Sequence, residues 1–266
     1  MHATEPPRIR CDLSLLAQTA RVQHRACEAP GPAAKAACTY GGHADQWYVR
    51  VVSVLSRIAA RAGSATRRIA VHLPFLAAKE LVYDRAYYEA LDGVHRPLYR
   101  LLADTAADLF APRTAVDVGC GTGVILTRLQ ERGVEVTGIE GSRHAIESSG
   151  LGDRVVKANL ERSFPRLGRF DVCFCIEVAE HLPARAASPL VEALTDLSDV
   201  VVFTAATPGQ GGSHHVNEQP QSYWETRFAA RGFHRDRERE SQLKAGIASI
   251  AEPAWMHENL MLFARA

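Results

Sequence analysis

The run over residues 116–126, VDVGCGTGVIL, constrains this chain more than any other stretch. An apolar, strand-like segment leads straight into glycines at 119, 121 and 123, and a helix-forming sequence follows. Glycine is needed where a chain turns sharply with positive φ, and where a ligand must approach the backbone. A buried strand turning through glycine into a helix is the first half of a β-α-β unit. The unpaired N–H groups at such a helix start suit an anionic or carboxylate-bearing ligand. The spacing is G-x-G-x-G, which differs from the G-x-G-x-x-G of dinucleotide-binding turns.

The sequence around this turn keeps the same rhythm. Strands are predicted over 114–118, 134–140, 155–157, 170–176, 200–204 and 233–237, with a last one within 257–265. Helices are predicted over 124–130, 143–148, 189–197 and 221–230. Strands that are apolar on both faces and alternate with helices mean a parallel sheet covered on both sides. The last two strands read as a hairpin that adds an antiparallel edge. Cys173 and Cys175 alternate in an apolar run, so they should share one face of a strand as small buried groups. Trp224 reads equally as a wall of the acceptor pocket or as an anchor for its helix.

The preceding third is different. Residues 1–45 are weakly patterned, with a short helix around Leu13, Leu15, Leu16 and Val22 and a Pro/Gly/Ala-rich loop over 29–42. Over 47–62 the residues Val51, Val54, Leu55 and Ile58 recur at helical spacing, and Arg50, Arg57 and Arg61 tend to another face. Two further helices are predicted over 76–91 and 97–109. Tyr83, Tyr87 and Tyr88 would either lean over a pocket or pack between domains. The chain divides into a mainly helical extension, 1–95, and an α/β domain, 96–266.

Charge and cysteine usage exclude several roles. Lys+Arg is 31 and Asp+Glu is 30, for a net charge of +1, so no overall field draws the chain to DNA, RNA or a bilayer. Basic residues outnumber acidic ones before residue 90 and the reverse holds after it, which reads as arginine spread over helix surfaces. None of the six cysteines forms a C-x-x-C pair, so neither a zinc knuckle nor a thioredoxin-like motif is supported. No secretory h-region and no run of ~18 apolar residues is present. The expectation is a reduced, cytoplasmic protein with no membrane segment.

Glu140 ends the second predicted strand, ~20 residues beyond the glycine turn, where a carboxylate can accept both hydroxyls of a ribose. Asp117, Gly119, Gly121 and Gly123 supply an E/D-x-G-x-G-x-G core. This stretch resembles motif I of the class I S-adenosylmethionine-dependent methyltransferases, and the likeness runs over roughly residues 95–266. The resemblance implies a Rossmann-like, seven-stranded mixed sheet with helices on both faces, and S-adenosylmethionine as cofactor. It places Glu140 and Gly141 at the ribose, Asn159 near the adenine amino group and Leu160 on the ring. Asp117 and the loop with Cys120 fall at the methionine end. The segment 175–182, CIEVAEHL, is similar to the family's E-x-x-E-H-L segment, so Glu177 would border cofactor and substrate.

Histidine is the natural proton acceptor near neutral pH. His215 and His214, in a glycine-rich loop after the fifth strand, are the leading candidates for the base, followed by His181. The function expected is methyl transfer to a hydroxyl, or an amine, of a small molecule, a specialised metabolite made by a biosynthesis enzyme. Partners would be the small-molecule acceptor and, through the N-terminal helices, a homodimer mate. The site reads as metal-free. Glu177, Glu180, His181 and one of His214 or His215 form an alternative ligand set that looks partly like that of the metal-dependent small-RNA 2′-O-methyltransferases. Nucleic acid is disfavoured by the absence of an Asp/Asn-Pro-Pro-Tyr/Phe stretch and of the paired cysteines of RNA cytosine-C5 enzymes. Protein methylation, and a non-catalytic S-adenosylmethionine-binding protein, are the remaining readings.

Overall fold

Short runs of β-branched and aromatic residues build a sheet whose strands are buried on both faces, and helices with one apolar stripe cover it. The computed structural model describes residues 85–212, 214–251 and 253–266. The expectations for segments 13–22, 29–42 and 47–62, the start of 76–91, and Tyr83 lie outside them. In chain order the elements are α1 (Arg85–Phe110), β1 (Thr114–Val118), α2 (Val124–Glu131), β2 (Glu135–Glu140), α3 (Arg143–Ser149), β3 (Val155–Lys157) and β4 (Val172–Cys175). There follow α4 (Ala187–Leu197), β5 (Val200–Phe203), α5 (Gln221–Ala229), β6 (Phe233–Arg235), α6 (Arg237–Ile247), α7 (Ala254–Asn259) and β7 (Met261–Arg265). Among the described residues, one short 3-10 turn (Gly152–Arg154) precedes β3, and two (Ala179–His181 and Ala184–Ala186) lie between β4 and α4.

The strands form one seven-stranded sheet in the order β3-β2-β1-β4-β5-β7-β6. β1 through β5 pair in parallel, and β7 runs antiparallel to both β5 and β6. The period of two sorts the side chains. Phe174, Val202 and Leu262 join Leu98, Leu102, Leu126, Leu129 and Leu243 on one face. Val116, Cys173, Cys175, Phe203 and Phe263 join Leu190, Leu194, Trp224 and Phe228 on the other. The expected common face for Cys173 and Cys175 is therefore present.

Three expectations for the elements change. α1 runs unbroken from Arg85 to Phe110 through Pro97, where two helices were expected, and so crosses position 95. An interior proline costs about 3 kcal/mol, but Leu98, Leu102, Ala103 and Ala106 are buried on one stripe of this helix and outweigh it. The last two strands are not a hairpin: α6 and α7 stand between them. The α6 sequence, RERESQLKAGI, is too charged to show a helical apolar stripe, yet Asp236 caps it by accepting from the Arg239 N–H. Finally, the antiparallel strand is β7, one place in from the edge, because the two helices carry the chain back past β6.

Candidate active site

The glycine turn is held from below by the neighbouring strand. The N–H groups of Gly119 and Cys120 both donate to Ile139 O, at 2.7 and 3.2 Å. Gly119 has φ +78°, and a Cβ there would overlap Val178, so no other residue fits. Gly121, with φ +53°, is different: among the described residues, a Cβ would meet only the Tyr88 ring edge, at 3.8 Å. The Tyr88 ring edge thus lies in ordinary contact range over Gly121. Gly123 starts α2 without a side-chain cap, so the first N–H groups of that helix keep no side-chain acceptor from it. Cys120 is buried, and burial, reinforced by the Asp117 and Glu140 carboxylates, pushes its thiol up and out of the nucleophilic range.

Glu140 ties this turn to the next one. Its Oε2 accepts from the Gly121 N–H at 2.9 Å, and its Oε1 accepts from the N–H groups of Gly141 and Ser142, both at 2.7 Å. Ala158 N–H donates to Glu140 O at 2.9 Å, which sets the loop after β3 beside it. Asn159 in that loop is exposed, and its Oδ1 accepts from the Glu161 N–H at 3.0 Å. Leu160 is buried in the sheet face that also holds Ile139.

Asp117 sits in β1, paired in register with Gly138 and Phe174, at 3% exposure. Burial first, and then the Glu140 charge, push its carboxyl up to about 8. A folded-state value above the ordinary one means that folding takes up a proton between the two. The stability from this group is full below about pH 4 and is lost as pH rises through about 8. Asp117→Asn mimics the protonated form, so the variant should gain on the parent by a few kcal/mol, ~1.4 per pH unit of proton uptake, between pH 5 and 9. Paired thermal melts at the two ends of this range check it; a pH-independent difference would remove Asp117 from this role.

The other side of the sheet's carboxyl end is built by two loops stitched together. Glu180 O accepts from the N–H groups of Val216 and Asn217 at 2.9 and 3.1 Å, and Gln219 N–H donates to Ala206 O at 3.2 Å. Asn217 Nδ2 donates to Ala179 O at 3.4 Å. The stitching sets the His181 and His215 rings edge to face, with centroids 5.0 Å apart. The His215 Nδ1–H donates to Glu218 Oε1 at 2.9 Å. Glu218 also accepts from the Gly209 and Gly211 N–H groups at 2.9 and 2.8 Å. Against the upward push of burial, these partners hold its carboxyl below the usual range.

Glu177 has φ +55°, a left-handed conformation that costs a non-glycine residue energy. Its N–H donates to Thr204 Oγ1 at 2.8 Å, which fixes it there. Glu180 is fully buried, and its carboxyl is pushed well up by burial and by the adjacent Glu177. Burial raises Glu177 as well.

Residues 116–198 match the family model described as a methyltransferase domain. Over that segment the chain is similar to a methyltransferase domain. A ubiquinone biosynthesis O-methyltransferase of Escherichia coli K12 is 31% identical over 122 residues, covering 38% of this chain and 50% of that one. The protein of the same description from Shigella boydii serotype 18 matches to the same extent. The chain spans about half the length of the curated relatives it matches. Among solved structures, a plantazolicin methyltransferase gives a TM-score of 0.49 at 15% identity, with coverage of 67% of this chain and 89% of that one. Magnesium protoporphyrin IX methyltransferase of Synechocystis PCC 6803 gives 0.46 at 15% identity, covering 71% and 87%.

Asp117, the glycine turn, Glu140, Gly141 and Asn159 gather at the carboxyl ends of β1, β2 and β3, while Glu177, His181 and His215 gather beyond β4 and β5. His214 occupies a left-handed position, φ +62°, on the same loop as His215. Glu218 went unseen in the sequence; its signal was the spacing of three from His215. Trp224 is fully buried against Phe203 and Tyr223, so it anchors α5 to the sheet. Among the described residues, no helix is long and apolar enough to cross a membrane.

Proposed function

We propose that this chain transfers the methyl group of S-adenosylmethionine to a hydroxyl group of a small molecule, a specialised metabolite, with an amine as the second choice of acceptor. The observation that carries the reading is the Glu140 carboxylate, which accepts from the Gly121 N–H of the glycine turn and from the Gly141 and Ser142 N–H groups of the next loop. A ribose that enters there meets an acceptor for its hydroxyls. Glu140 and Gly141 would hold the ribose, Asn159 the adenine edge, Leu160 the ring, and Asp117 with the turn from Gly119 to Gly123 the methionine end. When bound, the cofactor supplies an electrophilic methyl group on a sulfonium. The chain's own work is then orientation and proton handling.

The proton falls to the His215 side. With Nδ1–H given to Glu218, the second ring nitrogen carries a lone pair and the ring is fixed. His181 packs against it, His214 follows on the same loop, and Glu177 borders the cofactor. The relatives described as O-methyltransferases support an oxygen acceptor. Residues 1–95 would contribute acceptor specificity, as they lie outside the matched family segment. The test is transfer of a labelled methyl group from S-adenosylmethionine to a panel of phenols, catechols and amines, with total RNA and protein run in parallel. Label in small-molecule hydroxyl products, unaffected by salt, is expected. Label found only in RNA or protein would overturn the small-molecule reading.

A further inference from the structure

Asn259 is the last residue of α7, just before β7, and β7 pairs with β5 through Met261 and Phe203. Phe203 in turn pairs with Cys175, so Asn259 stands at the carboxyl ends of β4 and β5. It is buried, at 1% exposure. One hydrogen of its amide goes to Gln210 Oε1 at 2.8 Å, in a loop 49 residues earlier. Burial raises the Glu177 carboxyl, and the Asn259 amide, by donating to it, works the other way. Both hydrogens on Nδ2 are then used, and Oδ1 is left buried without a donor. A buried acceptor without a donor costs stability, and a leucine would fill this space without that cost. What the amide contributes is the tie between the segments it joins.

Gln210 carries the mount of His215. Its Oε1 also accepts from the Thr207 N–H at 3.4 Å, and its N–H donates to Thr207 O at 3.1 Å, which closes the turn over 207–211. The residues on either side of it, Gly209 and Gly211, give their N–H groups to Glu218, and Glu218 accepts from the His215 Nδ1–H. Both glycines have positive φ, +87° and +68°. Glycine backbone has many other conformations open to it, so such a turn needs an outside anchor to hold one of them. We propose that Asn259 is a positioning residue for the acceptor side: through Gln210 it fixes the turn that holds Glu218, and so sets where the His215 ring stands. It acts through these groups and not on the reacting atoms. The anchoring stands on the described residues alone, while its consequence for turnover rests on the proposed function, with His215 as the base.

The experiment uses the full chain and two variants that break the same bond from opposite ends: Asn259→Leu, which keeps the volume, and Gln210→Ala, on the loop itself. Amide hydrogen exchange needs no acceptor. At Gly209 and Gly211 it should speed up by at least ~10-fold in both variants, with Gly119 and Cys120 at parental rates. Transfer to the panel of phenols and catechols should show kcat lowered ~10-fold, with cofactor affinity by calorimetry at the parental value. In a His215→Ala background, Asn259→Leu should lower kcat no further, because the two changes act by one route. Parental exchange at Gly209 and Gly211, or a kcat loss that adds in full to that of His215→Ala, would overturn the positioning role and leave the proposed function standing. Faster exchange in a chain whose parent binds the cofactor but methylates nothing in the panel would uphold the anchoring and overturn the small-molecule reading instead.

Discussion

If the proposed cofactor site is right, Glu140→Ala should lower the affinity for S-adenosylmethionine by at least ~100-fold. A carboxylate that accepts two ribose hydroxyls makes two charge-assisted bonds, each worth about 1.5–3 kcal/mol. Their joint loss, about 3–6 kcal/mol, is two or more powers of ten in Kd. The alanine also leaves the N–H groups of Gly121, Gly141 and Ser142 without the acceptor that now joins their two loops. Both effects act in the same direction. Glu140→Gln separates them in part, because its amide oxygen can still accept from one loop while the negative charge is gone. Its affinity should fall between those of the parent and the alanine variant. Calorimetry beside a thermal melt makes the measurement; a folded Glu140→Ala protein with parental affinity would remove Glu140 from the cofactor site.

The second large effect is on turnover. His215→Ala should cut kcat by ~10² or more while cofactor affinity stays near the parental value, because general-base assistance contributes on that scale. The ring is held by Glu218, which is itself tied to the Gly209 and Gly211 N–H groups. Glu218→Gln keeps the shape but loses the charge that supports the imidazole, so a smaller loss, roughly 10-fold, is expected. Steady-state rates with saturating acceptor read both. If cofactor affinity falls in proportion to kcat, His215 is a structural member of the loop and not a catalytic one.

The parts of this architecture that were legible in the sequence are those governed by local rules. The turn at Gly119 and Gly121 follows from positive φ and close packing. β1, β2 and β4 follow from short apolar runs, and Glu140 follows from its distance to the turn. What was not legible depends on contacts between distant segments. Pro97 reads as a break, and only the packing of Leu98 and Leu102 overrides it. α6 reads as a polar connection, because just Glu240, Leu243 and Ile247 of its residues are buried. The acceptor side is the clearest case. Glu180 and His181 were visible as a motif and His215 as a member of a histidine pair, but their meeting depends on backbone bonds from Val216 and Asn217 to Glu180. No periodicity encodes such bonds, and the same bonds create the burial that separates Glu180 from an ordinary surface carboxylate.

The central claim is that the glycine turn and Glu140 form an S-adenosylmethionine site. Its most direct test is calorimetric titration of the full chain with S-adenosylmethionine and with S-adenosylhomocysteine. The account predicts one site of micromolar affinity for both, since the ribose, adenine and methionine carboxylate that the loops would hold are common to the two molecules. A folded protein that takes up neither would contradict it.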